Sequence, residues 1–339
     1  MVVLKRLLLW LMLISVGLMG ASAYWVYRPL PLTAETVDLS IEPNTSVRGI
    51  AKAAVQAGVE VSPDVLFLFF RLSGQSRALR AGSYEINRGT SALDVLRKLT
   101  RGEESLRSVS LIDGWTFRQF RAALNKSEGL KHDSRDLSDE AIMEKLGLAG
   151  IAPEGRFFPD TYTYGKGSSD LRILQRSANA MNKQLAAAWS RRAADCQVKS
   201  MDEALILASI VEKETGRESD RTTISSVFHN RLRIGMPLQT DPTVIYGMGE
   251  SFDGNLRRAD LRTDHPWNTY TRKGLPPTPI AMPGKNALLA AVQPAQSQAL
   301  YFVARGDGTS QFSATLDEHN AAVNRYQRGI KSPGSEQAK

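Results

Sequence analysis

The stretch Leu207–Glu218, LASIVEKETGRE, decides how the rest of the chain is read. It continues the apolar run begun at Leu205 and Ile206 and closes on three glutamates, Glu212, Glu214 and Glu218. A surface helix spreads its acids over the wet face, yet here Glu212 and Glu214 follow directly on LILASIV (205–211). Ser200 and Glu203 match the Ser-x-x-Glu capping box and set the helix start. At about 100° per residue, Glu214 shares a face with Leu207, Ile210 and Val211, and Glu212 points the other way with Leu205 and Ser209. Both faces are partly apolar, so the helix is expected to be buried near its middle, with Glu214 projecting from an apolar stripe near its end. A carboxyl group there loses hydration of its charged form, and its pKa is expected to rise, with Glu218 adding repulsion if it lies close. Such a glutamate can hand a proton to the leaving oxygen of a glycosidic bond. The helix alone equally allows a glutamate that caps or ion-pairs at a C-terminus.

Composition bounds the setting. The chain has 339 residues, 42% hydrophobic and 23% charged, a formal charge of +8 and a pI near 9.6. That is enough for two or three domains with real cores. The basic balance favours an anionic partner such as lipid headgroups or an acidic polymer. No Arg/Lys block interleaves with aromatics, so no nucleic acid is expected. Cys196 is the one cysteine, which excludes an internal disulfide. His132, His229, His265 and His319 show neither HExxH nor a His/Cys cluster, so no metal is expected. No cofactor is expected either, and no Gly-rich phosphate loop is present.

The N-terminus gives an address. Lys5-Arg6 precede an uncharged run, LLLWLMLISVGLMGASAYWVY (7–27). As a helix it reaches roughly 30 Å, the thickness of a bilayer core. The expectation is residues 1–6 in the cytoplasm, 7–27 as a single transmembrane anchor, and the body outside, on the periplasmic side of a bacterial inner membrane. The rival is a cleaved signal peptide ending at Ala21-Ser22-Ala23. The run exceeds a usual signal core, and Tyr24, Trp25 and Tyr27 continue past that site as interface aromatics.

Beyond the linker RPLPLTAET (28–36) a pattern appears twice, SIEPNTSVRGIAKAAVQAG (40–58) and YEINRGTSALDVLRKLTRG (84–102), with a weaker third copy, SVSLIDGWTFRQFRAAL (108–124). Each reads as strand, turn, Thr/Ser cap, amphipathic helix and, in the first two, a closing glycine. Ile50 and Val95 then fall on the same buried face. Between the first two copies, SPDVLFLFFRLSG (62–74) reads as a helix with proline at its start. Tandem strand-helix units resemble the LysM type of small glycan-binding module; the other reading is an α+β packing domain without a ligand. The expected fold class is α+β: a transmembrane helix, a small LysM-like α/β module over 37–124, a larger α+β catalytic domain over 150–331, and a disordered tail over 332–339.

The motifs taken together add a resemblance. SIVEKET (209–215), SVFHNRLRIGMPLQTDPTVIYGMG (226–249), NTYTRKGLPPTPIAMPG (268–284), the LYFVARGDG…F…T…EHN series and the upstream EGRFFPDTY (154–162) closely resemble the MltG/YceG-like endolytic murein transglycosylases. The likeness covers nearly everything after the apolar run, with five separated motifs in order. It implies that Glu214, the second glutamate of E-K-E-T, is the catalytic acid/base of a lyase that cuts the MurNAc-GlcNAc β-1,4 bond of nascent peptidoglycan strands, leaves 1,6-anhydroMurNAc ends and so terminates elongation. Peptidoglycan synthases are implied as partners. Expected substrate contacts are Gln239, Thr240, Asp241 and Tyr246 as a polar wall, Asn268, Thr269 and Tyr270 on a turn-rich loop, and Glu154. For Asn230 a bond to the glutamate or substrate stands beside a purely structural bond, and Glu154 has an ion-paired structural alternative. Arg156, Trp267 and Ser310-Gln311-Phe312 depart from the family pattern without touching E-K-E-T. Two other functions remain open at this point: a non-enzymatic LysM-type peptidoglycan-binding scaffold, and a hydrolytic muramidase using Glu214 with Asp241.

Overall fold

The computed structural model describes residues 2–328; the tail expected at 332–339 lies outside them. The architecture is mixed α+β with one N-terminal apolar helix, and the chain forms two compact units. One comprises the residues up to Ser108 with Glu128–Lys131 and Thr163–Ser169; the other comprises Val109–Ser127, His132–Tyr162 and the residues from Asp170 onward.

The first unit begins with α1 (Val2–Tyr27), followed by β1 (Thr36–Ile41), α2 (Val47–Gln56), α3 (Pro63–Leu72), β2 (Gly82–Asn87) and α4 (Ala92–Arg101). Within α1, Leu8–Tyr27 has a mean hydropathy of 1.7 and is long and apolar enough to cross a membrane. The two strand-helix copies do not stand side by side as separate modules. Their strands pair with each other, antiparallel, from Thr36 opposite Asn87 to Ile41 opposite Gly82. Strict alternation sends Val37, Leu39 and Ile41 inward, onto Ile50, Leu66, Phe70, Val95 and Leu99. Serine starts both repeat helices: Ser46 accepts from the Gly49 N–H, and Ser91 forms a full capping box with Asp94.

The segment read as a linker is tied down along its length. The Leu30 N–H donates to the Thr90 carbonyl at 2.9 Å, the Thr33 N–H to Gly58 at 3.0 Å, and the Glu60 N–H to Pro31 at 2.9 Å. Leu30 itself is buried. The chain is therefore held by the unit within three residues of the end of α1, where proline-punctuated composition had suggested a loose connector.

β3 (Leu106–Leu111) and β4 (Asp160–Gly165) form a second two-stranded sheet, and the chain passes from one unit to the other within them. The second unit holds α5 (Phe117–Lys126), α6 (Asp139–Lys145), α7 (Asp170–Trp189), α8 (Met201–Glu214), α9 (Glu218–Arg233), α10 (Asp241–Met248), α11 (Lys285–Val292), the antiparallel pair β5 (Tyr301–Ala304) and β6 (Ser310–Ser313), and α12 (Leu316–Tyr326). Its core forms around α8. Leu205, Leu207, Ile210 and Val211 are fully enclosed, with Ile224, Phe228, Leu288 and Ala291 among their neighbours. Each such side chain contributes about 1.5–3 kcal/mol on burial, so α8 is positioned rigidly despite its polar end. The start of α8 differs from a full capping box. Ser200 accepts from the Glu203 N–H at 3.1 Å, but the Glu203 carboxylate reaches past the cap to the Lys199 N–H at 2.6 Å. From Gly249 to Gly284 the chain holds only two short 3-10 turns, Gly249–Ser251 and Asp260–Arg262, among the described residues.

Candidate active site

Three polar side chains leave the buried body of α8, and each has a different task. Ser209 accepts from the Ile280 N–H at 3.0 Å. Glu212 accepts from the Gly284 N–H at 2.9 Å and stands 3.6 Å from the Arg221 guanidinium. Together they fasten the 280–284 loop to the helix. Burial pushes the Glu212 carboxyl up, while the Gly284 N–H and Arg221 hold it down. Glu214 makes no ion pair among the described residues, and its partner is a neutral hydroxyl.

That hydroxyl belongs to Thr240, which donates to Glu214 Oε1. Thr240 occupies the N-cap position of α10, where a threonine normally accepts from the first turn. Here its side chain makes no cap bond, and Pro242 in that turn leaves one fewer orphan N–H to satisfy. The backbone of Thr240 is held instead. Its N–H donates to Thr269 Oγ1 at 3.1 Å, and its carbonyl accepts from Thr243 Oγ1 at 2.8 Å. The Thr243 and Thr269 hydroxyls lie 2.9 Å apart. The preceding Gln239 is exposed, donates its N–H to the Thr269 carbonyl at 3.1 Å, and has a φ of 48°, left-handed for a side-chain-bearing residue.

Burial pushes the Glu214 carboxyl up to about 7; the Asp241 charge adds to the rise, and the Thr240 bond and the Arg231 charge oppose it. The like charge on Glu214 is thus Asp241. Glu218, for which that role was open, opens α9 and accepts instead from Asn286 Nδ2 at 3.2 Å. Asp241 in turn accepts from the Tyr270 hydroxyl at 2.5 Å, and burial followed by this bond drives the Tyr270 phenol up.

The other expected contacts divide. Asn230 donates both amide hydrogens to carbonyls, Ser297 at 2.8 Å and Ala299 at 2.9 Å, and accepts from Arg233 at 2.9 Å. Of its two readings the structural bond is the one seen. Asn268 is fully buried; its Nδ2 faces the carbonyls of Thr263, Leu261 and Asp260, and its Oδ1 accepts from the Tyr270 N–H. It shapes the loop, and Thr269 braces Thr240, because neither leaves a polar atom facing solvent. Glu154 is buried without an ion pair among the described residues. It accepts from the Phe117 N–H at 3.1 Å, at the first turn of α5, and it bonds the Tyr246 hydroxyl. Burial pushes its carboxyl up to about 7 and the Tyr246 phenol up as well.

Glu154 and Tyr246 line a cleft of about 830 Å³ with Phe117, Lys213, Pro242 and Trp267. Lys213 and Pro242 are chain neighbours of Glu214 and Asp241. Tyr246 and Trp267 meet edge to face at 5.6 Å, and the Trp267 indole donates to Thr278 at 3.0 Å. Half-apolar walls with a few fixed polar groups suit a sugar or peptide ligand.

Sequence reasoning passed over Arg231, which is buried, donates to the Leu300 and Leu238 carbonyls, and acts on Glu214 through its charge. The signal was present: Arg231 follows Val227 by four and Phe228 by three residues, which puts it on the apolar face of its helix. It also passed over Thr243, a neutral brace with no motif of its own. No group of three or more His, Cys, Asp or Glu is placed to hold a metal ion among the described residues.

This arrangement coincides with a sequence match. The YceG-like family model matches residues 39–325. The chain belongs to the YceG-like family. An endolytic murein transglycosylase of Bacillus subtilis (strain 168) is 31% identical to it over 310 residues, covering 86% of this chain and 85% of the relative. An endolytic murein transglycosylase of Streptococcus pneumoniae is 27% identical over 92% of this chain, which spans 63% of that relative's length. Among solved structures, a YceG-like protein from Listeria monocytogenes superposes with a TM-score of 0.53 at 29% identity, over 84% of this chain and 98% of that one. The YceG-like match runs through both compact units and takes in α8, α10 and the cleft beside them.

Proposed function

We propose that this YceG-like chain is a membrane-anchored lytic transglycosylase that cuts peptidoglycan glycan strands internally at the MurNAc-GlcNAc β-1,4 bond. The observation that carries the reading is the state of Glu214: a carboxyl held by a neutral threonine and kept half-protonated near neutral pH by burial. Glu214 gives its proton to the glycosidic oxygen as the bond from C1 breaks, and the charge on C1 is felt by the nearby Asp241 carboxylate. The substrate's own C6 hydroxyl then closes onto C1 and returns a proton to the Glu214 carboxylate. One residue serves both steps, no water is consumed, and the product ends in 1,6-anhydroMurNAc. Proximity makes the internal attack efficient.

Gln239, Asp241, Tyr246 and Tyr270 form the wall that orients the sugars in this reading, with Glu154 fixing Tyr246. Residues 150–331 carry the catalytic domain. Residues 37–124 carry a LysM-like glycan-binding module, supported by the succession β1-α2-α3-β2 closed by an antiparallel strand pair. α1 anchors the chain in a bacterial inner membrane with the body outside, and synthases that make the nascent strand are the partners implied.

The test uses the full-length chain in detergent micelles with purified uncrosslinked glycan strands, read by mass spectrometry. Internal fragments with anhydro ends are expected, lost by about 10²–10⁴-fold in Glu214→Gln and retained in Glu212→Gln. Reducing ends carrying added water would replace the lyase with a muramidase using Asp241. Strand binding with no fragments at all would leave only the scaffold reading.

A further inference from the structure

Within the first unit, α3 is apolar around most of its circumference. Leu66 and Phe70 are buried in the core, while Val65, Leu68 and Leu72 face away from it and are 44%, 54% and 75% exposed. At about 100° per residue these three fall within a sector roughly 60° wide, with Phe69 on its flank. Scattered exposed apolar residues are ordinary, but a contiguous stripe marks a contact surface.

What lies beside the stripe identifies the contact. The Phe69 ring meets Trp25 edge-on, with centroids 5.7 Å apart. Trp25 sits in the last turn of α1, at the end of the apolar span Leu8–Tyr27. Aromatic residues at such an end belong at the level of the lipid headgroups. The geometry is fixed, because Leu30 is buried and its N–H is bonded to Thr90 just after α1 ends. Arg28, directly after α1, and Arg71, in the last turn of α3, are exposed cations available to anionic headgroups.

We propose that α3 lies on the membrane leaflet at the outer end of α1, with Val65, Leu68 and Leu72 seated at the boundary between headgroups and acyl chains. An interfacial helix of this kind buries its apolar face roughly 5–10 Å deep. The first unit is then docked on the lipid surface in a set orientation, with two membrane contacts instead of one flexible tether. The inference rests on the reading of α1 as a membrane span.

The experiment uses the full chain with Cys196→Ser and one new cysteine at a time, labelled with an environment-sensitive fluorophore. The protein is reconstituted in phosphatidylethanolamine–phosphatidylglycerol vesicles, with or without lipids bearing a doxyl quencher near the top or near the end of the acyl chain. Labels at Leu68→Cys and Leu72→Cys should be blue-shifted and quenched by the shallow doxyl. A label at Lys52→Cys, exposed on α2, should show neither effect. A label at Leu13→Cys within α1 should be quenched by the deep doxyl, which tests the membrane span separately. Quenching at Leu13 with labels at Leu68 and Leu72 as watery as that at Lys52 would overturn the α3 contact and leave the anchor standing. No quenching at Leu13 would overturn the anchor and the α3 contact with it. A blue shift at Leu68 and Leu72 that ignores doxyl and fades as protein is diluted in lipid would assign the stripe to a second copy of the chain, against the proposal.

Discussion

At the scale of single residues, the chemistry rests on two neighbours that pull Glu214 in opposite directions. The Thr240 hydroxyl stabilises the carboxylate, and the Asp241 charge destabilises it. The rate of an acid-first mechanism falls as pH rises through the Glu214 pKa, because the proton to be given away is lost. Thr240→Val removes the stabilising bond, so the alkaline limb of kcat/KM should move to higher pH. Asp241→Asn removes the like charge, so the limb should move to lower pH. Thr240→Ser keeps the hydroxyl and should leave the limb in place. A purely structural role for either residue would lower rates without moving the limb in opposite senses, which pH-rate profiles of the variants would reveal. Glu214 itself was legible in the sequence, because a carboxyl at the end of an apolar stripe is rare and its position on the wheel is simple geometry. Its partner was not. A Thr-Asp-Pro segment reads equally as a helix cap, and only the third dimension shows the hydroxyl turned away from α10 toward α8.

At the scale of elements, capped helices were legible and loop bracing was not. Ser46, Ser91 and Thr116 each start a helix as their spacing suggests, since capping is local chemistry. β6 is only four residues long and was not anticipated; SQFS has no pattern of its own and is a strand because β5 lies opposite. Asn230 and Asn268 look like ligand groups in a string of letters, yet their amides hold carbonyls 67 and 5 residues away in the chain, contacts no local pattern encodes. Gln239 is the remaining ambiguous case. Its left-handed backbone disfavours a residue with a side chain by roughly 1–2 kcal/mol, so Gln239→Gly should hold or raise the melting temperature. If the exposed side chain also orients a sugar, the same variant should raise KM with little change in kcat. Steady-state kinetics beside a thermal melt separates these effects; an unchanged KM would remove Gln239 from the substrate wall.

At the scale of the whole molecule, two carboxyls buried without ion pairs tie stability to pH. Glu154 and Glu214 each rise from an ordinary value of 4.5 to about 7 in the folded chain. Below about pH 4 both are protonated whether the chain is folded or not, and neither costs stability. Between the unfolded and folded values the native state keeps protons that the unfolded chain releases, so stability falls as pH rises, until the loss is complete above about pH 8. Two and a half units correspond to roughly 3 kcal/mol per group as an upper limit. Glu214→Gln and Glu154→Gln remove the titration while keeping an oxygen for the Thr240 hydroxyl and the Phe117 N–H. Each should therefore melt close to the parent chain at pH 5 and clearly above it at pH 8. Glu212→Gln should behave differently, because it leaves Arg221 without its carboxylate partner, and Arg221 Nε is already buried with no hydrogen bond. That variant should melt below the parent at both values. Thermal melts of the full chain in one detergent at pH 5 and pH 8 decide the matter. A Glu214→Gln chain whose pH dependence matches the parent's would mean that Glu214 is ionised throughout, and an ionised Glu214 has no proton to give the leaving oxygen.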